Sequence, residues 1–148
     1  MENMDIQEGV PSEMEFVRNS LIAYNLAIVP FPGELPSMEI NKVIKGMDGE
    51  IIAGIKGDLY AWNCLYIDIL WVAETHRKSG YGSVLLQDVE KTAAEHGCRL
   101  IHLDTFDFQA KDFYIRHGFE VFGVLDDCPE DHKRYYMKKR LAPVPSGA

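Results

Sequence analysis

Two short segments of this chain carry residue types and spacings suited to chemistry. The first, Arg77-Lys78-Ser79-Gly80-Tyr81-Gly82, follows an apolar run and leads into a helical pattern. A strand end, an R-x-x-G-x-G turn and a helix start bring several backbone N–H groups and the positive end of a helix to one point, which makes an anion site. Gly80 and Gly82 permit close backbone approach without a Cβ, Ser83 adds a hydroxyl, and Arg77 or Lys78 adds positive charge near a phosphate. Two rival phosphate motifs are excluded by residue type: no Lys-Ser/Thr follows the glycines, as a P-loop requires, and Leu85 stands where a dinucleotide fold needs its third glycine. The second segment, Ala110-Lys111-Asp112-Phe113-Tyr114 ahead of Gly118-Phe119, delivers a phenol from a short amphipathic helix.

The run Ile69-Leu70-Trp71-Val72-Ala73-Glu74-Thr75-His76-Arg77-Lys78-Ser79-Gly80-Tyr81-Gly82 resembles the acetyl-CoA-binding segment of the GNAT superfamily of acyl-CoA-dependent N-acyltransferases. The resemblance implies that the strand splays from its neighbour, that Leu70 and Val72, with Trp71 between them, meet the pantetheine arm, and that Arg77, Lys78, Ser79, Gly80, Tyr81, Gly82 and Ser83 surround the pyrophosphate. Lys78 stands where the family often has Gln or Gly, and Ser79 where it often has Gly. Ala110-x-x-Phe113-Tyr114 before Gly118-Phe119 resembles the second signature, in which a small residue lets the cofactor pass and the tyrosine hydroxyl points at the thioester sulfur. Tyr114 is thereby the expected general acid, and Asp107 stands where the family often has Asn. An unperturbed tyrosine titrates near 10 and a thiol near 8.5, so full proton transfer is uphill by roughly 2 kcal/mol. A hydrogen bond that strengthens as the C–S bond breaks still helps, and general acid assistance typically gives about 10²–10⁴-fold.

An ammonium cannot attack a thioester, so an acceptor amine must lose a proton. Asp68 is the single charge in Cys64–Ala73 and, by alternation, shares a strand face with Leu70; burial would raise its pKa towards a useful range. His102 and Asp104, on one face of the next strand, and water are the alternatives. His102-x-Asp104 lacks further ligands, so no metal is expected. The oxyanion can be met by a free backbone N–H near Leu70 to Val72.

These groups need a scaffold. Pro11 stands just ahead of a helix whose Ser12 and Glu15 have capping-box spacing, with Met14, Val17, Leu21, Tyr24 and Ile28 on one face, a stripe expected to pack. Met38–Lys45 and Ile51–Tyr60 read as a hairpin about the turn Met47-Asp48-Gly49-Glu50. Cys64–Ala73 reads as a strand buried on both faces. Gly80–His96 is a helix stopped by Gly97, Arg99–Thr105 a strand, Gln109–His117 a helix stopped by Gly118, and Phe119–Leu125 and Arg134–Arg140 the last strands. Leu141–Ala148 reads as a mobile tail. The expectation is one α/β domain with a GNAT fold: a mixed, mostly antiparallel sheet of six to seven strands with helices on both faces, binding acetyl-CoA between Cys64–Ala73 and Arg99–Thr105.

Composition bounds the rest. At 148 residues and 47% hydrophobic content the chain is long enough for one core and short for two domains. Cys64, Cys98 and Cys128 have neither disulfide-framework nor zinc spacing, and the acidic start Met1-Glu2-Asn3-Met4-Asp5 is unlike a signal peptide, which points to the cytoplasm. No apolar run spans a bilayer. The net charge of −8 disfavours nucleic acid and suits a cationic amine. The reading is acetyl transfer to a primary amine of a small molecule or peptide. Acceptor recognition falls to Val29–Ser37, to Tyr60, Trp62 and Tyr66, and to Asp126–Asp131. The family implies dimers as a common state, and a catalytically silent acyl-CoA-binding sensor or structural subunit is the alternative.

Overall fold

The computed structural model describes residues 4–31 and 38–142. Two compact units make up the chain, Met1–Leu35 and Pro36–Ala148. The first holds one helix, α1 (Pro11–Ile28), none of whose residues is buried. Its cap differs from the expected one. Pro11 is the first helical residue, where its missing N–H costs nothing, and the Glu13 carboxylate accepts the Val10 N–H at 3.0 Å. Ser12 is therefore inside the helix and forms no box with Glu15. Most of the segment 29–37 and of the tail after Leu141 lies outside the described residues.

The second unit is built on a six-stranded mixed sheet in the order β1-β2-β3-β4-β6-β5. Its strands are β1 (Met38–Lys45), β2 (Ile51–Tyr60), β3 (Cys64–Val72), β4 (Leu100–Phe106), β5 (Glu120–Asp126) and β6 (Lys133–Arg140). Every neighbouring pair is antiparallel except β3 and β4, which are joined through a 3₁₀ turn at Glu74–His76 and the helix α2 (Tyr81–Glu95). Helix α3 (Lys111–Arg116) links β4 to β5. These bounds stand within two residues of those read from the sequence.

One sheet face carries the core. Ile40, Ile55, Leu59, Leu65, Ile67, Ile101, Leu103 and Met137 point from the strands into a cluster that Leu85, Leu86, Val89 and Ala93 of α2 and Tyr114 of α3 complete. The spacing of the four α2 residues puts them on one stripe, so the helix lies flat against the sheet. Both helices end alike. Gly97 (φ +82°) follows α2, with the Cys98 N–H donating to Ala93 and the Gly97 N–H to Ala94. Gly118 (φ +89°) follows α3, with Phe119 donating to Tyr114 and Gly118 to Ile115. Each is a Schellman ending whose left-handed residue favours glycine.

The strand β3 departs from expectation. It alternates buried and half-buried only as far as Ile67; Asp68 and Ile69 are exposed, and Trp71 is exposed again further on. The register explains why: Gly57 faces Ile67 while Lys56 faces Ile69, so Asp68 is the extra residue of a β-bulge. No helix of the described residues is long and apolar enough to cross a membrane.

Leu86 is fully buried between α2 and the sheet. Leu86→Ala is expected to cost about 3 kcal/mol of stability, read as a lower urea midpoint with unchanged far-UV circular dichroism.

Candidate active site

The parallel ladder between β3 and β4 is only three residue pairs long: Cys64 with Leu100, Leu65 with Ile101, and Tyr66 with His102. Beyond it β3 stays with β2 as far as Val72, and β4 stays with β6 as far as Phe106. The strands thus part at Tyr66 and His102, and the bulge at Asp68 falls just past the parting. Bulges bend a strand and increase its twist, which carries Ile67–Val72 away from β4. The β4-facing backbone groups of this stretch have no strand partner.

A cleft of about 970 Å³ opens from this gap, walled by β3, the turn before α2, and α3 with the loop before it. The sequence-derived site residues Asp68, Leu70, Trp71, Val72, Arg77, Lys78, Gly80, Tyr81, Gly82, Ser83, Ala110, Phe113 and Tyr114 all border it. Ser79 does not. It is exposed between Lys78 (φ +64°) and Gly80 (φ +87°), two left-handed residues that fold the turn away from the wall at that point. The absence of a Cβ at Gly80 therefore answers a backbone need, whereas Lys78 holds the same conformation against the preference of its side chain.

Gly82 has a different reason to be glycine. A Cβ there would lie 3.4 Å from the Phe113 ring and 3.7 Å from Val72, so the first turn of α2 is close to both α3 and the end of β3. Arg77 turns back to donate from Nε to the Val72 carbonyl at 3.0 Å, which ties the turn to the strand. Ser83 Oγ lies 2.9 Å from His117 Nε2, and the His117 ring lies tilted against Phe113 with centroids 4.6 Å apart.

Tyr114 is 6% exposed, with its ring against Phe113 and Phe119. Among the described residues its hydroxyl has no hydrogen-bond partner, although the side chain borders the cleft. Burial, and then the nearby Asp104 carboxylate, push its pKa up to about 12. Asp104 borders the same cleft and is fully engaged: Oδ1 accepts from Arg134 Nε (2.9 Å) and Nη2 (2.6 Å), and Oδ2 accepts from Tyr66 at 2.8 Å. Burial and this bond raise Tyr66 to about 12 as well.

Asp68 overturns an expectation. It is not buried: its side chain is 42% exposed, 3.7 Å from Lys56 Nζ, and the bulge places it on the Lys56 side of β3 rather than on the face of Leu70. His102 accepts or donates at Nε2 with the Tyr60 hydroxyl, and burial lowers its pKa from 6.5. Asp107 is structural in this fold. Its oxygens take His132 Nδ1 and the Lys133 N–H, each at 2.8 Å, and the Lys133 N–H first and His132 next hold its carboxyl below the usual range. Thr105, Lys111, Tyr135 and Asp104 also line the cleft. Thr105, buried at 3%, accepts the Ala110 N–H and donates to Gln109, fixing the approach to α3; only its strand alternation with Ile101 and Leu103 marked it in the sequence. Among the described residues no group of three or more His, Cys, Asp or Glu is placed to hold a metal ion.

Residues 39–119 match the model of the acetyltransferase (GNAT) family. A crystal structure of an acetyltransferase from Bacillus cereus ATCC 14579 superposes with a TM-score of 0.86 at 42% identity, covering 93% of this chain and 98% of that one. Acetyltransferase Atu2258 of Agrobacterium fabrum is 32% identical over 125 residues, 84% of this chain and 88% of its own length. Blasticidin-S acetyltransferase of Streptomyces morookaense is 35% identical over 97 residues, 65% of this chain and 71% of its own.

The half-buried His102 links stability to pH. Its folded pKa is below 6.5, so the folded chain binds its proton less readily than the unfolded chain, and the stability it contributes is present above pH 6.5 and lost as pH falls towards the folded value. The urea midpoint should therefore drop between about pH 7.5 and 5.5, and drop less in His102→Gln. Equal losses in both proteins would contradict the assignment.

Proposed function

The chain belongs to the acetyltransferase (GNAT) family and is an acetyl-CoA-dependent acyltransferase, and from that premise we propose that it acetylates a primary amine of a small molecule by direct attack in the cleft between β3 and β4. The observation that carries the reading is the convergence of the glycine turn, the unpaired edge of β3 and the Tyr114 side chain on one cavity. That one relative is a blasticidin-S acetyltransferase supports a small-molecule acceptor.

Acetyl-CoA supplies the thioester: the acceptor nitrogen forms a bond to the carbonyl carbon, the C–S bond breaks, and free CoA thiol leaves. The protein's part is to bind, orient and polarise. The turn Arg77–Gly82 with Ser83 receives the pyrophosphate at the N-terminus of α2, where the macrodipole and free N–H groups favour an anion. Lys78 and Arg77 add charge there, and the small residues Gly82 and Ala110, both on the cleft wall, leave room for the cofactor arm beside Phe113. The free edge from Leu70 to Val72 offers main-chain partners to pantetheine and an N–H for the developing oxyanion.

Tyr114 faces the sulfur as the general acid, in a limited sense. With its pKa near 12 against about 8.5 for a thiol, complete transfer is uphill by about 5 kcal/mol. Its contribution is thus a hydrogen bond that strengthens as charge builds on sulfur, and the departing thiolate takes its proton from water, while the acceptor nitrogen sheds one of its own. Asp68, solvated at the edge of the cleft, accepts that proton through water. Asp104 suits this role less, because both its oxygens already hold donors.

Two outcomes test the reading. In calorimetry, folded wild-type protein should bind acetyl-CoA and Gly82→Asp should lose at least about 100-fold in affinity, because the carboxylate both crowds Phe113 and repels phosphate; a folded wild type that does not bind would sink the proposal. Tyr114→Phe should bind acetyl-CoA normally yet lose about 10²-fold in amine-dependent thioester cleavage. Because the hydroxyl stays protonated well past pH 10, no alkaline loss of kcat below that pH should trace to Tyr114.

A further inference from the structure

We infer that His117 is a positioning residue for the cofactor, holding the Ser83 hydroxyl in the orientation in which it donates to a phosphate oxygen. The inference rests on the proposed pyrophosphate turn and adds to it a residue outside both sequence motifs. Ser83 sits in the first turn of α2 and borders the cleft, while His117 caps the C-terminus of α3, and the two side chains meet at 2.9 Å in a part-buried contact.

The argument is one of donors and acceptors. A serine hydroxyl carries one proton and two lone pairs, and its proton position is set by its partners. A phosphate oxygen only accepts. If Ser83 is to serve it, the single proton must point there, and only a lone pair remains for the imidazole. His117 must then donate from Nε2, which selects the tautomer protonated at Nε2 and leaves Nδ1 bare. Among the described residues no hydrogen-bond partner competes at Nδ1. The opposite tautomer would draw the serine proton towards His117 and present two lone pairs to the phosphate, a repulsive arrangement.

The ring is held for this purpose. Phe113 lies against it at 4.6 Å, Gly118 in its left-handed conformation fixes the chain direction just after it, and the imidazole spans from one helix to the other. The same contact therefore ties the phosphate turn to the helix that carries Tyr114.

Five proteins and one spectrum test this: wild type, Ser83→Ala, His117→Ala, His117→Gln and the Ser83→Ala/His117→Ala double variant. His117→Ala is expected to raise KM and Kd for acetyl-CoA about fivefold to tenfold with kcat within about twofold, the range for one lost hydrogen bond. His117→Gln, which offers an N–H at comparable reach, should recover most of the affinity, and the double variant should bind no more weakly than Ser83→Ala. ¹⁵N spectra of the acetyl-CoA complex should show His117 protonated at Nε2. An unchanged Kd in His117→Ala, additive losses in the double variant, or an Nδ1-protonated ring in the complex would each overturn the inference. If His117→Ala does not fold, the tautomer and the His117→Gln affinity decide it. Should wild type bind no acetyl-CoA, or bind it as well with Gly82→Asp, the turn itself has been misread and the failure lies upstream of His117.

Discussion

The short parallel ladder between β3 and β4 governs the rest of this structure. Each of these strands has a longer partner on its other side, β2 for one and β6 for the other, and only three residue pairs hold them to each other. The bulge at Asp68 adds a local twist where the ladder stops. The cleft's lining is arranged around the resulting gap: backbone without a strand partner on one side, Asp104 and Thr105 on the other, the turn into α2 at one wall and α3 at another. A fully paired sheet with the same helices would have no cleft.

Keeping such a gap open requires that its margins be fixed from outside. On the β4 side, Asp104 is held by Tyr66 and Arg134, so a carboxylate from β4 is bonded to the last paired residue of β3 and to β6 at once. Asp107 continues the same theme one loop later by anchoring the start of β6 through His132 and Lys133. Arg134 also lies over the rings of Phe106 and Tyr136. On the β3 side, Arg77 binds the strand's last carbonyl. The β4-side contacts join polar residues 25 to 38 positions apart, whereas the β3-side contact spans five; each fixes the direction of a strand just where pairing no longer does so.

What the sequence made legible follows from how local each feature is. The glycine turn, both helices with their glycine endings and the strand order of the hairpin depend on neighbours within a few residues, and they stand close to where the sequence puts them. Tyr114 and the wall residues were legible because two motifs at known spacing imply one another. Asp68 was misjudged because strict alternation assumes an unbroken pleat, and an inserted residue in β3 is visible only against the register of β2. Ser12 lost the cap to Val10 because Pro11 can occupy the first helical position at no cost in hydrogen bonds. The partners of Asp107, Asp104 and Ser83 lie 25 to 34 residues away, at His132, Arg134 and His117, and no local pattern announces them.

Mechanically, the sheet consists of two antiparallel plates, β1-β2-β3 and β4-β6-β5, sharing one brief seam. A guest that lies along the free edge of β3 acts as a temporary seventh strand, extending the seam beyond Tyr66. Because the two plates share so short a seam, any ligand that binds the folded cleft and not the unfolded chain adds to the stability of the sheet as a whole.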